Sequence, residues 1–502
     1  MESFWFLMQG LGNALSPQNI LFAFIGSVIG TLVGVLPGVG PAAGTAILIP
    51  MTFVLPAVPA IIMLAAIYYG AMYGGTITSV LLNVPGEAAS VVTCIEGHQM
   101  AKHGRAGPAL SIAAIGSFIG GTLATICLVT LALPLTQLAL RFGPPEFFAL
   151  MCFGLSLVIS LAGKSLIKAL LVALFGLALS QVGMDPTIGF PRFTFGMIDM
   201  VGGLELIAIV MGLFGVGDLL VSLEAQAQDV MRSKIGRLFP SREDWKRSLP
   251  AICRGTAIGT GLGLIPGVAS AVPTFVSYVF EKKATPEPRE GWGGGAIEGV
   301  AGPETANNAY VNAALIPLFT LGIPSSPTVA LLMGAFMING LIPGPFLFKE
   351  HPEVVWTVIA SLFVGNVILL ILNLPLIGLW VRVLTIPRGI LYALILVFCI
   401  VGSYSLNNRL FDPVIMLLFG VLGYLFRKFD FPLAPVALTL ILGPLMEKGL
   451  AQSMMLSRGD PSIFVTRPIS LVLLTLSVLV LAVSSIKALS TASDAIRQDS
   501  QV

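Results

Sequence analysis

Apolar stretches of roughly 17–25 residues follow one another along the whole chain, and a stretch of that length is what a helix needs to cross a bilayer. No other feature limits the fold as tightly. Composition agrees: 56% of the 502 residues are hydrophobic and 10% are charged. A soluble domain carries about 25% charged residues, so this chain lacks the means to solvate its surface. Gly (55) and Pro (34) are abundant for a helical protein. Membrane helices tolerate both where neighbours, side chains or water satisfy the freed backbone groups. The expectation is an all-α membrane protein in a lipid bilayer. The net charge of +2 comes without a basic stripe, so nucleic acid is not an expected partner. Cys94, Cys127, Cys152, Cys253 and Cys399 are scattered through apolar segments and read as small hydrophobes, not as a disulfide or metal framework. Residues 1–16 lack a basic n-region, so no cleavable signal peptide is expected.

The apolar runs place crossings at 57–101, 108–134, 146–162, 165–183 and 204–222 in the first half. In the second half they fall at 300–342, 355–380, 390–406, 412–426, 432–450 and 468–486. Residues 18–56 and 251–280 read as two apolar hairpins that return to the side they started from, or as two full spans each. The total is about 11–12 transmembrane helices. With the N-terminus outside, most of the 27 Lys and Arg fall inside, among them Lys102, Arg105, Lys164, Lys168, Lys282, Lys283, Arg427 and Lys428. The cluster from Arg232 to Arg247 puts a linker, 223–250, in the cytoplasm.

An internal repeat organises the chain. Residues 26–39 read GSVIGTLVGVLPGV and residues 255–268 read GTAIGTGLGLIPGV. Glycines at 26, 30, 34 and 38, and again at 255, 259, 263 and 267, carry the small-xxx-small spacing that lets helix backbones approach closely in lipid. Each run then meets a proline, Pro37 or Pro266. Downstream, Asn83-Val84-Pro85-Gly86-Glu87 interrupts one apolar segment and Gly322-Ile323-Pro324-Ser325-Ser326-Pro327-Thr328 interrupts another. Each half thus reads hairpin, then broken helix. An odd number of crossings between them makes the repeats inverted. The expected domains are 1–222 (first repeat), 223–250 (linker), 251–450 (second repeat) and 451–502 (C-terminal helix and polar tail). Paired Gly/Pro-interrupted helices in inverted repeats point to the binding site of a secondary transporter.

A helix break exposes unpaired N–H groups and a partial positive charge at the next helix start. Four such starts, after Gly38, Gly86, Gly267 and Ser325, would hold a carboxylate without many buried cations. The candidate substrate residues are therefore Gly38, Val39, Asn83, Pro85, Gly86, Gly267, Val268, Ser270, Ser325, Ser326 and Thr328. Glu304, Asn307 and Asn308, polar groups beside an apolar run, are candidates for a coupling ion, Na+ or H+, together with Gly40 and Glu87. Plainer readings stand beside these. The glycines serve packing alone, the prolines are kinks, and Glu304 or Glu87 is a charge at a helix start. Tyr68, Tyr69 and Tyr73 are ordinary packing. Gly215-Val216-Gly217-Asp218 matches the GxGD string of intramembrane aspartyl proteases, but the chain has no Tyr-Asp pair to complete a dyad, so enzymatic activity is not expected. His98, His103 and His351 lack metal spacing, no P-loop is present, and no other cofactor is expected.

Four runs resemble a known family: GVLPGVGPAAGTAILIP (34–50), YYGAMYGGTITSVLLNVPGE (68–87), GLIPGVASAVPTF (263–275) and GPETANNAYVNAALIPLFTLGIPSSPT (302–328). They are similar to the large membrane subunit of the tripartite tricarboxylate transporters, and the resemblance covers nearly the whole chain. It implies a bacterial inner-membrane system with a small membrane subunit of about four spans and a periplasmic solute-binding protein. It also implies cation-coupled uptake of di- or tricarboxylates such as citrate. The plan is similar to that of the elevator-type ion transporters, an expectation that rests on fold analogy. The alternative is a passive organic-anion channel or a non-transporting scaffold. A channel favours an open pore with charge rings over paired breaks.

Overall fold

The computed structural model describes residues 2–36, 40–161, 165–185, 189–224, 237–383 and 388–499. These are almost wholly helical. Among them the only strands are Gly183–Met184 and Pro191–Arg192, one short antiparallel pair. Eight of the described helices are long and apolar enough to cross a membrane: Pro17–Val35, Ala57–Leu82, Ala106–Ala139, Pro144–Leu161, Leu206–Glu224, Pro352–Asn373, Ala434–Leu456 and Pro468–Ile486. The chain is a multi-pass membrane protein. Four shorter apolar helices, Pro41–Val54, Leu166–Ser180, Pro327–Ile338 and Tyr392–Asn407, account for much of the difference from the expected 11–12 crossings. Breaks and turns cut several apolar runs into pieces below spanning length.

Burial orders the helices. Ala57–Leu82 is 89% buried over its apolar window and forms the centre, whereas Pro468–Ile486 is 11% buried and lies at the rim. Around that centre the two glycine runs do the same job. Pro17–Val35 packs along Ala57–Leu82. A Cβ placed on Gly26, Gly30 or Gly34 would come within 2.4, 2.5 and 2.1 Å of the carbonyl oxygens of Met63, Ile67 and Ala71. Arg242–Gly263 packs along Glu298–Ala313 in the same way. There, Cβ atoms on Gly255, Gly259 and Gly263 would lie 2.3, 2.2 and 2.7 Å from the carbonyl oxygens of Gly302, Ala306 and Tyr310. In both seams the positions advance together by one helical turn, so the paired helices run parallel. Parallel neighbours require the chain to double back between them. Pro41–Leu48 and Ile49–Val54 occupy that connection in the first pair, and Ala271–Ala284 in the second.

The expected linker, 223–250, has different bounds. Arg242–Gly263 is one continuous helix, so residues 242–250 belong to it. Its start is fixed by a capping box: the Asp244 amide donates to Ser241 Oγ at 3.1 Å, and the Ser241 amide donates to Asp244 Oδ2 at 2.9 Å. Some of the charges in this stretch bridge to neighbouring elements: Arg247 pairs with Glu290 at 2.7 Å and with Glu298 at 2.8 Å, and Asp244 pairs with Arg105. The helix Leu206–Glu224 reaches the other edge; residues 225–236 of the linker, with the start of the basic cluster at Arg232, lie outside the described residues.

Candidate functional site

Both expected breaks are present and are built alike. Ala57–Leu82 stops at Asn83, whose φ of 58° is left-handed, and Val84 N–H turns back to the Thr78 carbonyl at 3.4 Å. Leu315–Leu321, which continues from Glu298–Ala313, stops at Gly322 with φ 70°, and Ile323 N–H turns back to the Pro317 carbonyl at 3.3 Å. A left-handed residue after the last turn is a common helix stop, and Asn and Gly are the residues that accept it. A proline follows each stop by two residues. The chain then restarts as Ala88–Ser90 and Val91–Lys102 in one half and as Pro327–Ile338 in the other. Ser326 Oγ caps the second restart by accepting from the Val329 amide at 3.3 Å.

The breaks meet the hairpins. Gly267 N–H donates to the Ser325 carbonyl at 3.0 Å. Gly267 has φ 85° and a Cβ there would lie 2.7 Å from Val158 Cα, so only glycine fits. Gly86 sits on the first seam, where a Cβ would come within 2.1 Å of the Gly34 carbonyl oxygen. Between these pieces lies a cavity of about 490 Å³. Its wall brings together Pro85, Gly86, Gly267, Val268, Ser270, Ser325, Ser326 and Thr328 with Gly40 and Glu87. Gly38 and Val39 lie outside the described residues. Asn83 is not on the wall; it is exposed and serves as the helix stop.

Glu304, Asn307 and Asn308 are not on the wall either. They form a buried cluster on Glu298–Ala313. Glu304 is 1% exposed and lies mid-helix, so it is not a charge at a helix start; Glu298 holds that position. Two threonines hold the Glu304 carboxylate: Thr76 Oγ1 donates at 2.6 Å, and Thr93 Oγ1 donates to the other oxygen. Asn308 Nδ2 donates to Ser117 Oγ at 2.7 Å. Glu87 connects cluster and cavity. It is on the cavity wall, yet its carboxylate lies against Gly75, next in sequence to the Thr76 that holds Glu304. Glu87 caps the restart in a capping box with Ser90, whose amide faces its side chain, but among the described residues neither Glu87 oxygen, nor either polar atom of the Asn307 amide, closes a hydrogen bond of full geometry. Of the three tyrosines, Tyr73 Oη donates to Asn366 Oδ1 at 2.6 Å and Tyr69 abuts Gly365, both packing roles, whereas Tyr68 is on the cavity wall.

Sequence reasoning missed two charged residues of the wall. Asp218 and Arg427 face the cavity as an ion pair 2.7 Å apart. In the sequence Arg427 reads only as a basic residue at a helix end, and Asp218 only as part of a protease-like string. One available signal was the glycine pair, Gly215 and Gly217, beside Asp218.

A multi-pass helical protein whose interrupted helices enclose a cavity is built as a membrane transporter component. The chain matches the tripartite tricarboxylate transporter TctA family over residues 20–438 and belongs to it. It is thus one membrane component of a tripartite system, in a family of transporters. It is 45% identical over 489 residues to an uncharacterized 52.8 kDa protein in the TAR-I ttuC' 3'region of Agrobacterium vitis, covering 97% of each chain. It is also 48% identical over 218 residues to an uncharacterized protein in the TAR-II ttuC' 3'region of the same organism, covering 43% of this chain and 90% of that one. No solved structure matches the chain.

Proposed function

We propose that this chain is the large transmembrane subunit of a bacterial inner-membrane importer that moves di- or tricarboxylates and is coupled to Na+ or H+. The observation that carries this reading is the convergence on one cavity of two helix breaks, the helix start at Gly40 and the turn at Gly267–Ser270. Helix restarts and turns offer backbone N–H groups, which suit carboxylate oxygens. Charge then argues for coupling. Among its described residues the wall holds two acids, Glu87 and Asp218, against one base, Arg427. A substrate with two or three negative charges meets a net-negative wall unless a cation or proton enters with it. Glu87 is the natural receiver, because it is buried on the wall and its oxygens close no hydrogen bond of full geometry among the described residues. Glu304, Asn307 and Asn308 support it from behind the wall. Gly40 lies on the same wall.

The two parallel glycine seams support an arrangement of inverted repeats, with breaks and hairpins moving as one block in an elevator-like step. Substrate capture falls to a periplasmic binding protein, and a small subunit of about four spans completes the complex. The test is uptake of labelled citrate, malate and succinate into proteoliposomes holding both membrane subunits. Accumulation should need the binding protein and an imposed Na+ or H+ gradient. Equilibration without any gradient would replace this reading by a passive channel; no uptake under any condition would leave a scaffold.

A further inference from the structure

We propose that Arg427 is the residue that grips a substrate carboxylate, and that Asp218 is a built-in rival anion that occupies Arg427 while the cavity is empty. This rests on the reading of the cavity as a carboxylate site. Among the described residues of the wall, Arg427 is the only cation. An ordinary helix-bracing pair would need only two opposed side chains. Here the local fold is altered to present one guanidinium. Residues Met211–Val216 form a π-helical turn inside the span Leu206–Glu224. In that turn Gly217 N–H bonds to the Gly212 carbonyl, five residues back, and not to Leu213. The Leu213 carbonyl is thereby released, and Arg427 Nη1 donates to it at 2.9 Å. Turns of this kind recur at functional sites. Gly217 completes the seat, since a Cβ there would stand 2.7 Å from Arg427 Nη1.

The hold of Asp218 on Arg427 is partial. It is a contact between Nη2 and Oδ1, and the two side chains keep 25% (Asp218) and 23% (Arg427) of their accessible surface. A guanidinium has five N–H donors in a planar fork, and a free carboxylate takes two of them in parallel. A substrate carboxylate can therefore displace the single contact. The displaced Asp218 lies beside the hairpin turn, 3.9 Å from a Cβ placed on Gly40, so the exchange also changes the charge facing that turn. The plain alternative is a brace between Leu206–Glu224 and Phe411–Lys428 with no part in recognition.

The two are separated by the sign of single substitutions. Ala269, exposed on the same wall, is replaced by cysteine in the purified full chain. Its labelling rates by an anionic and a cationic methanethiosulfonate of similar size are then compared, with the parent protein as the blank for native thiols. Asp218→Asn should raise the anionic-to-cationic rate ratio about tenfold, and Arg427→Gln should lower it about tenfold. Arg427→Lys, which keeps the charge and loses the fork, should leave the ratio near that of the parent. In uptake of whichever carboxylate the unaltered complex accumulates, Asp218→Asn should lower KM, whereas Arg427→Lys and Arg427→Gln should raise it. If both neutralising substitutions leave the ratio unchanged, or move it in the same direction, Arg427 is a brace and the proposal fails. If no carboxylate is accumulated by the unaltered complex, the transport reading fails, and the reagent ratio still decides the charge role of Arg427.

Discussion

The two helix breaks share a scaffold and differ in their chemistry. Each follows a parallel glycine seam and stops on a left-handed residue, Asn83 or Gly322. Beyond the stop they diverge. The first break puts a loosely held carboxylate, Glu87, on the wall, whereas the second puts the neutral residues Ser325, Ser326 and Thr328 there. The second half has its own acid, Glu304, but it lies before the break, off the cavity and held by two threonines. Two breaks built alike thus come with one fixed acid and one freer acid. A fully held carboxylate is a structural element, because its lone pairs are satisfied. A buried carboxylate that is only loosely held is costly, and it persists where something else completes it.

The largest expected effect breaks the part that the halves share. Gly34→Leu and Gly259→Leu each drive a side chain into backbone carbonyls, those of Ala71 and Ala306, which cannot rotate away. Each should cost about 3 kcal/mol or more and remove most of the folded protein, as read by size-exclusion profile and thermal unfolding in detergent. Wild-type behaviour of either variant would mean that its seam is not the close contact described.

The acids should then separate. Glu304→Gln replaces an acceptor of two hydroxyl hydrogen bonds by an amide and should destabilise by about 1–3 kcal/mol in thermal unfolding. Glu87→Gln should leave stability equal or higher, since the amide oxygen can keep the contact with the Ser90 amide and a buried charge is removed, yet remove the dependence of uptake on the coupling cation. Equal losses of stability in the two variants would erase the distinction between fixed and free acid. Asn308→Ala removes the link to Ser117 and should weaken cation dependence less than Glu87→Gln does, with a stability loss of about 1 kcal/mol. Cation-dependent uptake assays compare the two directly.

What the sequence made legible follows from the range of each signal. Glycine spacing and Gly/Pro breaks are local, so the seams and both interruptions lie where residues 26–34, 83–87, 255–263 and 322–328 predicted. The depth of Glu304 was not legible. Its helix begins upstream at Glu298, and that start follows a loop whose amides, those of Gly293, Gly295 and Ala296, donate to Glu96, far away in sequence. Arg427 and Asp218 are also far apart in the chain, and neither lies in a repeated motif. Arg427 is also held by a carbonyl that a π-turn frees, and no residue pattern specifies that turn. Asn83 carried a readable signal that pointed elsewhere: asparagine before an X-Pro step is a good left-handed stop, a role that needs no ligand.

The smallest effects compare the two stops themselves. At Gly322 a Cβ meets both a left-handed φ and the Pro343 carbonyl oxygen at 2.7 Å. Gly322→Ala should therefore cost more than the roughly 1–2 kcal/mol of left-handed strain alone. At Asn83 the side chain is exposed and already tolerates φ 58°. Asn83→Gly should change stability by about a few tenths of a kcal/mol, and Asn83→Ala should cost about 1 kcal/mol. Neither should alter the KM for uptake, because Asn83 is off the cavity wall. Thermal unfolding beside uptake kinetics reads both quantities in one preparation. A raised KM in Asn83→Gly, with unfolding unchanged, would return Asn83 to the binding site and make the first break chemically richer than its wall residues indicate.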